Sequence, residues 1–134
     1  MAMEIMDIVL LVGRILFGGF FIMSGLNHFQ NLGMMSGYAG SKNVPFPRLA
    51  VIGSGVMLVA GGVSVLLGIV PVVGLLVLVL FLLSTLATIH DFWNLKDPQQ
   101  RAAEQVNFLK NVALIGASLA LVYGASDWAL ALYA

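Results

Sequence analysis

Arg14 lies about nine residues into the first apolar segment of the sequence. A guanidinium in such surroundings costs free energy, so it usually faces protein or a polar cavity. It could hold an anionic or carbonyl-bearing ligand, or it could extend to the edge of the segment and pair with Asp7 or Asp127. The sequence leaves both interpretations open. A spacing of seven places Arg14, Phe21 and His28 on roughly one helical face.

A second group of polar residues lies at the ends of three apolar segments. Asn107, Lys110 and Asn111 follow a helical spacing that puts them on one face. Such residues suit the oxygen-bearing head of a quinone, a phospholipid or a small anion, whereas simple anchoring at a membrane interface is the alternative. The candidate polar cluster consists of Asn27, His28, His90, Asp91, Trp93, Asn107, Lys110 and Asn111.

Few other groups could support catalysis. The sequence has no cysteine, which excludes disulfides, thiolate metal sites and a CxxC redox pair. His90 and Asp91 are adjacent, so on a helix their side chains diverge by about 100° and form no direct dyad. Both histidines stand at segment ends, which disfavours a haem, and the spacing is unspecific for a metal. We predict no catalytic residue and no metal site, and the cofactor stays unknown, with a quinone or a lipid open.

The composition indicates what surrounds these residues. Of 134 residues, 60% are hydrophobic and 9% are charged, and the mean hydropathy is +1.03. Soluble domains carry about 25% charged residues, so a soluble enzyme and a disordered chain are excluded. The six basic and six acidic residues balance, which leaves no electrostatic basis for binding nucleic acid. The sequence predicts an all-α integral membrane protein with one domain, residues 1–134.

Four segments are long enough to cross a bilayer as helices, which takes about 20 apolar residues each. No residue from Leu49 to His90 is charged, and this length suffices for two spans with a break near Gly68 and Pro71. The N-terminus lacks a positive region, so we expect a membrane helix there rather than a removable signal. The expected antiparallel four-transmembrane-helix bundle has spans at about 5–27, 49–68, 72–91 and 106–129.

Small residues recur at a spacing of four on the second and fourth spans, where they would let helix backbones approach closely. Packing within one bundle is the favoured interpretation, and a seam between two copies is the alternative. The residues are Ala60, Ser64 and Gly68 on the second span and Gly116, Ala120 and Gly124 on the fourth.

The connection between the first and second spans and the one between the third and fourth spans are both long, and they lie on the same side of the expected bundle. This side differs in charge from the opposite side. The two connections carry Lys42, Arg48, Lys96 and Arg101, whereas the other side has no Lys or Arg outside the membrane. The positive-inside rule then predicts that both connections are cytoplasmic and both termini outside. In the second connection, a short interfacial helical turn is expected after Pro98.

Stretches from all four segments resemble the DoxX family of small four-helix membrane proteins. They are GRILFGGFFIMSGLNHF (13–29), GGVSVLLG (61–68), IHDFW (89–93) and VNFLKNVALIGASLAL (106–121). The resemblance implies an antiparallel four-helix bundle in a bacterial inner membrane. Arg14, Asn107, Lys110 and Asn111 match the family's pattern by position, and His90 matches a histidine common there.

Two positions depart from that pattern. Leu58 stands about where many members carry an acidic residue, which removes the natural partner of Arg14 and argues against a proton-coupled role. His28 stands where many members carry lysine, which argues against haem ligation at that position.

The resemblance also implies a functional context, since the family is named after a subunit associated with a terminal quinol oxidase. We expect an accessory subunit, or a quinone- or lipophile-interacting component, of a membrane redox assembly that is not catalytic alone. A purely structural or assembly subunit of a larger membrane complex is the alternative. Membrane lipid and a membrane oxidoreductase or other large complex are the expected partners. A homo-oligomer stays open.

Overall fold

The computed structural model describes residues 3–132 and consists of helices and their connections. No strand occurs within these residues, and four helices are long and apolar enough to cross a membrane. The predicted all-α membrane fold is therefore confirmed. The α-helices are α1 (Ile5–Gln30), α2 (Leu32–Ser41), α3 (Pro47–Leu67), α4 (Pro71–Thr88) and α5 (Pro98–Val122), with 3₁₀ turns at Phe92–Asn94 and Ala125–Asp127.

The first helix, α1, contributes residues to both ends of the bundle. It begins with a capping box, in which the Glu4 backbone N–H donates a hydrogen bond to the Asp7 carboxylate at 3.0 Å. Its buried face contains Arg14, Phe21 and His28, as their spacing predicts. Many large apolar side chains on its other faces are exposed, which suits a helix in lipid.

Close approach of two glycine-containing faces holds α1 against α3. A Cβ added at Gly18 would lie 2.7 Å from the carbonyl oxygen of Gly62, and one added at Gly25 would lie 2.8 Å from that of Gly55. Real Cβ atoms essentially never come this close to another atom. Small residues thus bring these two backbones together, at positions that the sequence analysis did not single out.

The turn between α3 and α4 falls at the predicted break. Gly68 ends α3 with a left-handed φ of +68°, which favours glycine, and Pro71 begins α4. The Ser64 hydroxyl donates a hydrogen bond to the carbonyl of Ile69 at 2.6 Å across this turn. The short connection is therefore tied to the last turn of α3.

The helices pack in the order α1, α3, α4, α5, with α2 lying against α3. α5 packs against α4 and the Phe92–Asn94 turn, but it makes little contact with α1. Because α1 and α5 stay apart, a cavity forms between them at the end that α2 covers.

The last helix differs from its expected bounds at both ends. It begins at Pro98, where the Asp97 carboxylate accepts a hydrogen bond from the Gln100 N–H at 3.0 Å. The turn expected after Pro98 is therefore the first part of α5. The helix ends at Val122, because the chain reverses at Gly124, whose φ is +73°. α2 is an additional helix, in a connection where the sequence predicts none.

The two small-residue stripes occupy different surroundings. Ser64 and Gly68 are buried, and an added Cβ at Gly68 would lie 2.6 Å from the Cβ of Ala131. On α5, nothing lies within 4 Å of a Cβ added at Gly116 or Gly124. The residues of the two stripes that lie on exposed surface are Ala60, Gly116, Ala120 and Gly124.

Candidate functional site

Arg14 is buried at one end of the bundle, with 1% of its surface exposed. Its Nε donates to the carbonyl of Val65 at 3.1 Å, and its Nη2 donates to that of Leu66 at 3.0 Å. Nη1 and Nη2 also donate to the carbonyls of Ala129 and Leu130, at 3.1 and 3.3 Å. Among the described residues, neither Asp7 nor Asp127 bonds to it, and backbone carbonyls accept its hydrogen bonds instead.

These bonds complete the hydrogen bonding at the end of α3. A helix leaves its last four carbonyls without partners within the helix. Val65 and Leu66 receive Arg14, the Leu67 carbonyl accepts from the Leu132 N–H at 2.9 Å, and the Ser64 carbonyl accepts from the Ile69 N–H at 3.0 Å. The positive charge also suits the negative end of the helix dipole.

The guanidinium of Arg14 stacks on Trp128, with 4.9 Å between its central carbon and the ring centroid. The chain after α5 therefore folds back over Arg14 and covers it. We call this part of the molecule, comprising Arg14, the α3–α4 turn and residues 125–132, the arginine end. Its polar groups bond to one another, which indicates a structural role for Arg14.

The opposite end contains a cavity of about 620 Å³, lined by residues of all five α-helices. Ligand cavities are typically about 300–1,000 Å³ and mostly apolar, with a few polar groups. The polar lining residues are Ser24, His28, Tyr38, Ser54, Ser84, Thr85, Thr88, His90, Lys110 and Asn111, and the apolar ones include Phe20, Phe21, Met34, Met35, Phe81, Leu82 and Leu114. We call this part, with the α2–α3 and α4–α5 connections, the cavity end.

His28 is 8% exposed and lines the cavity from α1. Its Nδ1 lies 2.8 Å from the carbonyl oxygen of Ser24, and the ring of Phe81 packs edge-on against it. Because a carbonyl oxygen can only accept, Nδ1 carries the proton. The Nε2 atom has no hydrogen-bond partner within residues 3–132, so in the neutral ring it can accept a hydrogen bond from a ligand in the cavity.

Asn111 is 5% exposed and lines the cavity from α5. Its amide nitrogen donates to the Thr85 hydroxyl at 3.1 Å, and that hydroxyl donates to the Leu82 carbonyl at 2.9 Å. Since the single hydroxyl proton goes to Leu82, Thr85 must accept from Asn111, which fixes the orientation of the amide. The Oδ1 atom of Asn111 has no hydrogen bond among the described residues.

Lys110 precedes Asn111 and brings a positive charge to the cavity wall. Its Nζ lies 5.9 Å from the ring centroid of Phe20, at a distance typical of a cation–π contact. No carboxylate of residues 3–132 pairs with it. It can therefore donate hydrogen bonds to an oxygen atom that enters the cavity.

An ion pair and a hydrogen bond connect the elements around the cavity. Lys42, which follows α2, contacts Asp91 after α4 at 2.6 Å, and His90 contacts Glu104 on α5 at 2.7 Å. The hydrogen bond to Asp91 raises the pKa of the Lys42 ammonium, which keeps it charged. Burial, followed by the negative charge of Glu104, raises the pKa of the Tyr38 phenol, which keeps its O–H protonated.

The cavity includes half of the predicted polar cluster. His28, His90, Lys110 and Asn111 line it. The remaining predicted residues lie outside and have other contacts. Asn27 accepts from Asn31, Asp91 pairs with Lys42, Trp93 packs on Phe92 and Phe108, and Asn107 donates to Glu104.

Several lining residues were not singled out from the sequence. Tyr38 belongs to α2, in a segment whose glycines and methionines gave no helical pattern. Thr85 and Thr88 lie inside an apolar run, where single hydroxyl residues are ordinary. Their spacing of three on one face of α4 is the signal that could have found them. Among the described residues, no group of three His, Asp or Glu could hold a metal.

Comparison with known proteins gives one match. The DoxX family model matches residues 9–91, which extend from α1 to the segment after α4. No curated protein and no solved structure matches the chain.

Proposed function

The chain belongs to the DoxX family, and on that premise we propose that it holds a membrane lipophile in its cavity as an accessory component of a membrane redox assembly. The observation that carries this proposal is the cavity of about 620 Å³, whose aromatic and aliphatic wall meets buried polar side chains. A purely packed bundle would fill this space with side chains.

The proposed binding mode follows from where the two kinds of lining residue lie. The head of the lipophile sits near His28, Lys110 and Asn111, whereas its tail extends between α1 and α5 toward lipid. Lys110 donates to an oxygen of the head, such as a quinone carbonyl or a lipid oxygen. The candidate ligands are therefore a quinone or a lipid, and the family resemblance supports the redox context.

The test is purification in a mild detergent followed by mass spectrometry of bound lipophiles and partner proteins. Ala50 lines the cavity, so Ala50→Phe places a ring in it. Gly116→Leu is the matched control, because nothing lies within 4 Å of a Cβ at that position. We expect a stoichiometric lipophile with the parent protein and Gly116→Leu, and at least a tenfold loss with Ala50→Phe. Equal retention by all three contradicts the proposal.

A second candidate function is a structural or assembly subunit without a ligand. The exposed stripe of Gly116, Ala120 and Gly124 favours it, because small residues allow another helix to approach closely. Under this alternative, Gly116→Leu would abolish association with partner proteins while Ala50→Phe would leave it intact. The same purification therefore separates the two functions.

We also propose a bacterial inner-membrane location with both long connections in the cytoplasm. The positive charges of Lys42, Arg48, Lys96 and Arg101 support this orientation. Because the chain has no cysteine, single substitutions can report it. A membrane-impermeant maleimide should label Met3→Cys in spheroplasts and Asn43→Cys only after permeabilisation. The reverse pattern contradicts the orientation.

A further inference from the structure

Two hydrogen-bond acceptors face the cavity without partners among residues 3–132. They are Nε2 of His28 and Oδ1 of Asn111, on side chains that are 8% and 5% exposed. Neither atom is fully buried, but both belong to largely buried side chains that line the cavity, where polar groups usually have a partner in the protein, in water or in a ligand. Their presence in one cavity therefore describes the chemistry of whatever fills it.

The roles of both atoms follow from the hydrogen bonds of their neighbours. The Ser24 carbonyl can only accept, so Nδ1 of His28 is the donor. The Thr85 hydroxyl spends its proton on the Leu82 carbonyl, so it accepts from the amide nitrogen of Asn111. No carboxylate among the described residues bonds to His28.

We propose that the cavity selects amphiphiles whose head donates hydrogen bonds through hydroxyl groups, with His28 and Asn111 as the acceptors. This inference rests on the proposed lipophile-binding function and narrows its ligand class. Each hydroxyl of the head can donate to one of the two acceptors, and its oxygen can accept from Lys110 in turn. A head with only carbonyl, ether or ester oxygens leaves both acceptors unpaired.

Hydroxyl selectivity would distinguish between related quinones and between related lipids. Among redox lipophiles it favours a hydroquinone over the corresponding quinone, because only the reduced form carries O–H groups. Among lipids it favours a free hydroxyl head over its methyl ether. The shared chemistry is the donated O–H, and these two sources can be compared directly.

The test uses a long-chain para-alkylphenol and its methyl ether, which share tail and ring but differ in the donor. Protein in nanodiscs is equilibrated with an equimolar mixture, and native mass spectrometry measures the ratio retained. We expect a preference for the phenol of about tenfold or more, since the phenol pairs one of the acceptors and the ether pairs neither. Hydroquinone–quinone and diacylglycerol–methyl ether pairs then identify the source with the larger ratio.

Substitutions assign the preference to the two acceptors. His28→Phe keeps a ring but removes Nε2, and His28→Gln restores an amide oxygen. We expect the first to lower the phenol-to-ether ratio to about twofold and the second to recover part of it. Asn111→Leu should also lower the ratio. Asn27→Leu is the control that leaves it unchanged, because Asn27 lies outside the cavity.

The outcomes separate this inference from the proposed function. Equal retention of phenol and ether, with both lost in Ala50→Phe, overturns the hydroxyl selectivity and supports cavity binding. No retention of either probe contradicts both proposals. A phenol preference that survives the combined His28→Phe and Asn111→Leu changes assigns the selectivity to other groups and overturns the inference. The parent protein's ratio is informative even where a variant fails to fold.

Discussion

The arginine end and the cavity end both bury polar groups in an apolar bundle, but they differ in whether those groups have partners. At the arginine end, Arg14 donates four hydrogen bonds to backbone carbonyls and Trp128 covers it. At the cavity end, His28 and Asn111 each retain an acceptor without a partner among the described residues. A buried charge whose hydrogen bonds are complete is therefore a weaker indication of function than a cavity-lining side chain with an unpaired acceptor.

The largest expected effect is on stability at the arginine end. Arg14→Met removes four hydrogen bonds and leaves buried carbonyls at the end of α3 unpaired. We expect a loss of about 3 kcal/mol or more in the free energy of unfolding, measured by denaturant titration in mixed micelles. Arg101→Met, at an exposed position, is the control.

The phenol-to-ether ratio of any folded Arg14→Met protein should be unchanged. A variant that keeps its stability but loses ligand selectivity would assign the functional role to Arg14 instead, and would reverse the comparison between the two ends.

The next largest effect on stability is expected where the backbones of α1 and α3 approach closely, because this contact positions both ends of the bundle. Gly18→Leu places a side chain against the Gly62 carbonyl, whereas Gly19 has nothing within 4 Å of an added Cβ. Overpacking typically costs about 1–3 kcal/mol, so Gly18→Leu should lower the free energy of unfolding by that amount or more. Gly19→Leu should leave it nearly unchanged. Similar losses for both variants would contradict the close approach of α1 and α3.

The ease with which the two ends could be predicted from sequence also differs. The sequence predicts the shared face of Arg14, Phe21 and His28 and the break at Gly68. Both predictions rest on the length of apolar segments and on the helical period, which do not depend on how the helices pack. The carbonyl partners of Arg14 could not be predicted, because a backbone acceptor has no signature in residue types. The resemblance pointed to an acidic partner at the position of Leu58, which is fully buried.

At the cavity end, the sequence identified polar residues on three helices but not the space between them. The cavity depends on the separation of α1 from α5 and on the position of α2. Neither feature produces a hydrophobic periodicity that can be recognised in the sequence. The charged start of α5 predicted only a short interfacial turn separate from the last span, because residues before the apolar run carry Arg101 and Glu104. Tertiary spacing, rather than composition, decided which members of the cluster line the cavity.

A smaller effect is expected at the ion pair between Lys42 and Asp91, which joins α2 to the α4–α5 connection. Partly exposed pairs contribute about 0.2–1 kcal/mol, so Lys42→Met should cost stability in that range. The bound alkylphenol should also exchange faster, because α2 is held less firmly over the cavity. A double-mutant cycle with Asp91→Asn measures the pair.

The contribution of the Lys42–Asp91 pair to the free energy of unfolding depends on pH, and its sign can be predicted. The pKa of Lys42 is raised above 10.5 by its hydrogen bond to Asp91. Its contribution to stability is therefore fully present below pH 10.5 and is lost as the pH rises through the higher folded-state pKa. The stability difference between the parent protein and Lys42→Met should be constant from about pH 7 to 10 and shrink above that. A difference that grows with rising pH would contradict the pair.

The central claim is that the cavity end binds a ligand and the arginine end does not. It is tested most directly by photo-crosslinking with an alkylphenol that carries a diazirine beside its ring, followed by peptide mapping. We expect labels on the cavity wall, at α2 and at the facing parts of α1 and α4, with at least a tenfold decrease in Ala50→Phe. Labels at the arginine end or on the exposed face of α5, unchanged by Ala50→Phe, would contradict the assignment of binding to the cavity end.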